Sequence, residues 1–126
     1  MYTENEVATV LVDILFQVHK ILGPGLLESV YEEAICYELT QRNLTFQRQR
    51  GIPVNYKEIK LDLGFRADII VENCVIIEIK SIEALAPVHF KQVLTYLRLT
   101  DKKLGLLVNF NTNLIKEGIK RVVNNL

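Results

Sequence analysis

At Asn43 the hydrophobic pattern of the chain changes period, and that switch restricts the fold more than any other feature of the sequence. Before it, Val7, Val10, Leu11, Ile14, Val18 and Ile21 recur at three- and four-residue spacings, the mark of one buried helical stripe. After it, Ile52, Val54 and Tyr56 alternate with polar residues, and Ile59, Leu61 and Leu63 do so again beyond Lys57-Glu58. Alternation turns one face of a strand to a core and the other away from it. Helices must therefore come first and a sheet second.

The first stripe predicts a helix from Glu4 to Leu22. Gly23-Pro24-Gly25 ends it, because glycine tolerates a left-handed helix stop and proline cannot continue the hydrogen-bond ladder. A second helix is predicted from Leu26 to Arg42, with Leu27, Val30, Tyr31, Ala34 and Ile35 as its apolar face and Glu28, Glu32 and Glu33 early in the element. The two should pack as a hairpin. The alternating segments read as a β-hairpin, and further strand candidates span Phe65 to Val71 and Val75 to Lys80. Between these last two, Glu72-Asn73-Cys74 offers an asparagine for the turn. Pro87 then opens a helix to Thr100, Leu104 to Phe110 reads as a buried strand, and Leu114 to Val123 reads as a closing amphipathic helix. The order ααβββαβα argues for an α/β fold, a mixed central sheet flanked by helices.

A length of 126 residues suits a single domain, here residues 1–126. Fifteen basic residues balance fifteen acidic ones, so attraction to a nucleic-acid backbone must come from a local patch, and a general DNA-coating role is disfavoured. Arg48, Arg50, Lys57, Lys60 and Arg66 form a modest basic track, or equally a solvated face. Cys36 and Cys74 lie far apart without zinc-ligand spacing and read as reduced core residues. Met1 to Glu6 carries two acids and no basic run, and no apolar run approaches the roughly 20 residues needed to cross a bilayer. A cytoplasmic location is expected.

Polar residues inside apolar strands carry the chemistry. Arg66 and Asp68 share one strand face, as do Glu78 and Lys80, because side chains two apart point the same way. Burying such charges is costly unless they are paired or hold an ion. If the two strands are antiparallel neighbours, two carboxylates and a lysine surround one point. That cluster suits magnesium, which takes one or two carboxylates and completes its shell with water and phosphate oxygens. An Asp-Lys or Glu-Lys ion pair closing the sheet edge explains an isolated pair equally simply.

Asp68, nine intervening residues, then Glu78-Ile79-Lys80 resembles the D-x(n)-E-x-K signature of PD-(D/E)XK nucleases, with Ala67 where the superfamily name has proline. Gly25-Leu26-Leu27-Glu28-Ser29-Val30-Tyr31 matches the motif that names the bacterial GxxExxY family, an uncharacterised branch of that superfamily. Tyr56-Lys57, Gly64-Phe65-Arg66-Ala67-Asp68, Leu94 to Leu99 and Gly105 to Phe110 also look like blocks of that family, so the resemblance covers nearly the whole chain.

The resemblance implies a restriction-endonuclease-like fold, with Asp68 and Glu78 as metal-binding acids for Mg2+ or Mn2+ and the Ile79 carbonyl as a further ligand. It makes Lys80 the catalytic lysine and Glu28 a helix-borne acid assisting the metal. Glu28 also fits a simpler role, favouring the helix N-terminal dipole. Tyr31 reads as a core aromatic. Gln92-Val93-Leu94-Thr95-Tyr96 is similar to the Q-x-x-x-Y element of RecB-like members, and Gln92 and Tyr96 share a helical face suited to a substrate phosphate or nucleotide. His89 joins that face, and Arg66 completes the substrate-binding candidates. The expected function is metal-dependent phosphodiester hydrolysis in DNA or RNA. The rival is a non-enzymatic nucleic-acid-binding or regulatory module that keeps the nuclease fold, as a homodimer or the partner of a larger complex.

Overall fold

The computed structural model describes the backbone of residues 1–126 and every side chain except that of Leu63. Helix α1 (Glu4–Leu22) begins in a capping box: the Thr3 hydroxyl accepts the Glu6 amide and the Glu6 carboxylate accepts the Thr3 amide. It ends at Gly23, whose φ of 72° spares the chain a Cβ clash at the stop. Val7, Leu11, Ile14, Leu15 and Val18 are buried as the spacing requires, but Ile21 is 74% exposed because it lies off the stripe. Helix α2 (Glu28–Gln41) starts later than predicted. Leu26 and Leu27 remain in the extended connection, Leu27 exposed, and the buried face is Tyr31, Ile35, Cys36 and Leu39.

Five strands follow in the spatial order β1-β2-β3-β4-β5: β1 (Phe46–Tyr56), β2 (Ile59–Val71), β3 (Val75–Lys80), β4 (Leu104–Asn109) and β5 (Ile119–Val123). Only β3 and β4 are parallel, joined through helix α3 (Pro87–Thr100), and the other pairings are antiparallel. The result is a mixed sheet with helices on both faces, as the order of elements predicted. Helices α1 and α2 cover one face, packing on Ile69, Val71, Val75, Ile77, Leu104, Leu106 and Val108. Helix α3 covers the other, its Val93, Tyr96 and Leu97 meeting Ile70, Ile76 and Leu107. Strands β3 and β4 are thus buried on both sides, which is why they read as continuous apolar runs instead of alternating ones.

The hairpin turn lies at Lys57-Glu58 as expected, with Tyr56 opposite Ile59 and Lys57 at φ 55° in place of glycine. Two strand boundaries differ from expectation. The stretches 59–63 and 65–71 form one strand, because residues 62–64 of β2 stand opposite Pro53 alone and the extra length is absorbed in a bulge where proline offers no amide. The predicted alternation at Leu63 concerns a side chain outside the described residues. Strand β1 also begins at Phe46 instead of Ile52, since the polar run Gln47–Arg50 occupies an exposed edge strand and shows no apolar alternation.

The end of the chain corrects the predicted closing helix. A single turn, α4 (Ile115–Gly118), gives way to β5. Five residues rich in Ile119, Val122 and Val123 gain more from backbone pairing with the otherwise open edge of β4 than from continuing a helix. Gly118 permits that change of direction. A Cβ there would stand 2.2 Å from the Asn109 carbonyl oxygen, a backbone atom with no freedom to withdraw. Gly118→Ala should therefore cost about 1–3 kcal/mol, read as a lowered urea midpoint with unchanged slope.

Candidate active site

Strands β2 and β3 pair from Val71↔Val75 to Ile69↔Ile77. One residue further along, two side chains take the place of the ladder. The Asp68 amide donates to Glu78 Oε1 at 3.1 Å, and the Ile79 amide donates to Asp68 Oδ2 at 2.8 Å. Each side chain can satisfy the opposing strand because a carboxyl oxygen accepts hydrogen bonds as a backbone carbonyl does. The arrangement sets two acids side by side in a poorly solvated place, with Glu78 only 5% exposed. Burial, reinforced by the Asp68 charge, pushes the Glu78 carboxyl up to about 8. Burial also raises Asp68, against the opposing pull of the Ile79 and Gln49 hydrogen bonds.

Lys80 follows on β3, half-buried and level with Asn109 of the parallel neighbour β4. Its positive charge favours the ionised form of both acids, yet no salt bridge among the described residues joins it to either. The simple edge ion pair is therefore not formed. The backbone around Lys80 is fixed from several sides. Phe110 donates its amide to the Lys80 carbonyl at 2.9 Å, while buried Asn109 accepts the Ile82 amide at 3.1 Å and donates to the Ile82 carbonyl at 3.0 Å.

The block Gly25 to Tyr31 forms a clasp on the same segment. Glu28, first residue of α2, accepts the Ser81 amide at 2.9 Å, and the Ser81 hydroxyl donates to the Leu26 carbonyl at 2.7 Å. Tyr31 is a core aromatic, stacked on Phe110 with ring centroids 4.1 Å apart. Its hydroxyl donates to the Gly23 carbonyl at 2.6 Å and accepts the Leu26 amide at 3.1 Å, so it pins the turn that precedes Glu28.

A cavity of about 450 Å3 opens beneath α2, lined by Glu28, Ser29, Glu32, Gln49, Asp68 and Ile79. Glu78 and Lys80 are not among its lining residues, and Glu78 is tied to it only through the Asp68 amide. A larger cavity of about 560 Å3 lies elsewhere, between α1 and residues 113–116; its one acid, Asp13, is paired with Arg42 at 2.8 Å. Two residues of the site escaped the sequence reading. Glu32, 8% exposed, accepts Arg48 Nη2 at 2.9 Å and Gln49 Nε2 at 2.6 Å, and Gln49 Nε2 reaches Asp68 Oδ1 at 3.1 Å. Glu32 lies one turn after Glu28, the signal that could have found it; Gln49 sits in a polar run with no period to mark it.

The substrate-binding candidates separate. Tyr96 is buried on the α3 side against Phe65, with centroids 5.1 Å apart, and burial together with the charges of Glu78 and Asp68 raises its hydroxyl to about 12. Gln92 is half-buried one turn earlier. His89 is held locally, its Nδ1 accepting the Ala86 amide at 2.8 Å at the start of α3. The exposed Arg66 donates to the Gln49 carbonyl at 3.0 Å. The basic track is largely engaged inside the protein: Arg48 pairs with Glu32 and Glu33, Arg50 bonds Gln47, and Lys57 lies 5.4 Å from the centre of the Tyr56 ring.

A family model described as the PD-(D/E)XK nuclease superfamily matches residues 5–122. The chain belongs to this superfamily. No curated protein and no solved structure matches it significantly. PD-(D/E)XK nucleases generally use divalent metals, and the donor set here fits one: two adjacent carboxylates without a cationic partner, and an Ile79 carbonyl on the same strand edge as the amide that meets Asp68. Among the described residues no three acid, histidine or cysteine side chains gather closely enough to enclose an ion alone. Magnesium, which keeps several waters, needs no such enclosure. No helix is long and apolar enough to cross a membrane.

The raised Glu78 sets the pH behaviour of the metal-free protein. Between the ordinary carboxylate value and about 8 the folded chain holds a proton that the unfolded chain has released, so stability falls as pH rises through that window. Glu6, Glu33 and Glu72 are shifted down and act in the opposite sense only at more acidic pH. In chelator, the thermal midpoint should drop by several degrees from about pH 5 to about pH 8.5, and Glu78→Gln should flatten that slope. An equal slope in the variant would assign the effect to other groups.

Proposed function

We propose that residues 1–126 form a single nuclease domain of the GxxExxY branch, located in the cytoplasm, that hydrolyses phosphodiester bonds in DNA or RNA with Mg2+ or Mn2+. The observation that carries the reading is the wedge of Asp68 and Glu78 between β2 and β3, with Lys80 beside it and in no salt bridge among the described residues. Asp68 and Glu78, with the Ile79 carbonyl and the nearby Glu28, would hold the ion. A bound divalent ion acidifies water and offsets charge on the attacked phosphate. Lys80 orients the attacking water or stabilises the developing negative charge, a task that requires an ammonium free of a carboxylate partner. Glu28 acts partly through position, since its bond to the Ser81 amide anchors the chain just past Lys80. Tyr96 and Gln92 contact substrate from the α3 side, and Arg66 and His89 are the outer candidates.

A second reading, a non-enzymatic nucleic-acid-binding or regulatory module acting as a homodimer or within a larger complex, is favoured by Arg50 and Arg66, which are exposed and hydrogen-bond uncharged groups, so that their charge stays available to a phosphate backbone. The test is cleavage of single- and double-stranded DNA and RNA with either metal, wild type beside Lys80→Ala, plus calorimetric titration of Asp68→Asn and Glu78→Gln. Lys80→Ala should lose on the order of 100-fold or more in turnover while metal binding survives, and the two amide variants should lose the metal. Equal cleavage by wild type and Lys80→Ala would reject Lys80 as the catalyst. Absence of cleavage on all four substrates would favour the module.

A further inference from the structure

Gln49 lies in β1 opposite Asp68, yet the two share no backbone rung: the pairing runs through Arg48↔Ile69 and resumes at Arg50↔Ala67. Gln49 takes a φ of 50°, the left-handed region that residues bearing a Cβ seldom adopt and that is foreign to a strand. Such a conformation persists only where surrounding contacts impose it. Three do so here. Nε2 donates to Glu32 Oε1 at 2.6 Å and to Asp68 Oδ1 at 3.1 Å, and the main-chain carbonyl accepts Arg66 Nη1 at 3.0 Å.

The chemistry of the neighbours decides how the amide faces. Ionised carboxylates only accept, so with an acid on either side the NH2 end must point at them and the amide oxygen must turn away. Glu32 is a firm anchor for that choice, since Arg48 holds it through Nε at 3.2 Å and Nη2 at 2.9 Å. A chain of contacts then runs Arg48, Glu32, Gln49, Asp68. With Oδ2 held by the Ile79 amide and Oδ1 by Gln49, each Asp68 oxygen receives one donor and keeps further lone-pair capacity.

We infer that Gln49 is a positioning residue: it fixes the Asp68 carboxylate so that its remaining lone pairs face a divalent cation in the cavity beneath α2. Glu32 and Arg48 lock the direction of its amide. The inference rests on the metal-site reading above. It also accounts for the backbone, because a residue whose only task was to build the strand would occupy the extended conformation of its neighbours. Donors that orient a metal ligand typically contribute 10- to 100-fold in metal affinity.

Titrating Mn2+ alone into the metal-free full chain tests this, with wild type, Gln49→Gly, Gln49→Met and Asp68→Asn compared and the thermal midpoint of each measured without metal. Methionine keeps the approximate shape and removes the donor, whereas glycine also removes the backbone strain. Asp68→Asn should lose binding, and both Gln49 variants should weaken it about 10- to 100-fold. The Gln49→Gly midpoint should stay near that of wild type and at or above that of Gln49→Met, a pattern that a purely structural glutamine would not give. Wild-type affinity in either folded Gln49 variant would overturn the role of Gln49 and leave the metal site standing. No Mn2+ binding by wild type would overturn both.

Discussion

The end of the β2–β3 ladder at Ile69 and Ile77 is the constraint on which the rest of the site depends. Past that rung the strands stay bridged only because Asp68 and Glu78 accept the amides that a continuing ladder would have used. Two neighbouring carboxylates with little water are a poor way to build a sheet, since apolar residues in their place would remove the desolvation and repulsion that raise both acids. Stability does not account for them. The local departure from what packing favours is the kind found at functional sites, where strain or buried charge is retained for what it does.

The surrounding structure holds that weak point in shape. Glu28 and Asn109 bind the backbone on either side of Ser81, Phe110 binds Lys80, and Tyr31 ties the turn before α2 to the aromatic that ends β4. These contacts come from α2, from β4 and from the segment after β4, so the site is assembled by the whole order of elements and not by one motif. Lys80 and Asn109 also close the parallel pair at its carboxyl end, the edge at which open α/β sheets commonly place ligands.

Much of this was legible. The period switch at Asn43 gave the helices and then the sheet, and the charged pairs within apolar strands singled out Asp68, Glu78 and Lys80, because a buried charge stands out against a hydrophobic run. The misses share a physical cause. Strand β1 enters through Gln47–Arg50, whose exposed edge leaves no alternation to see, and Gln49 was lost with it. The last strand was misread as a helix because a short amphipathic run looks helical locally, while its pairing with β4 is not written in its own spacing. Ile21 and Leu27 were placed in apolar faces by their spacing, but Ile21 falls in the last turn of α1 and Leu27 just before α2, and both are exposed. His89 shared a helical face with Gln92, but its side chain turns back to cap the start of α3 by accepting the Ala86 amide three residues earlier.

Charge placement also bears on the choice between catalyst and scaffold. Glu28, Glu32 and Asp68 line one cavity, and Glu78 meets Asp68 at its amide, so the site by itself repels a phosphate backbone. Of the nearby arginines, Arg48 is committed to Glu32 and Glu33, while the exposed Arg66 bonds the neutral Gln49 carbonyl. Lys80 is the one cation of the signature that no carboxylate holds among the described residues, and a single ammonium is weak compensation against so many acids. Under the proposed function, these acids could admit a phosphate only after their charge had been met by a divalent ion. Substrate binding and metal binding would then be one linked equilibrium, with the affinity for nucleic acid rising as the acids are filled. A scaffold that binds nucleic acid without metal would have to use positive charge away from this cavity, where the exposed Arg50 and Arg66 hydrogen-bond uncharged groups.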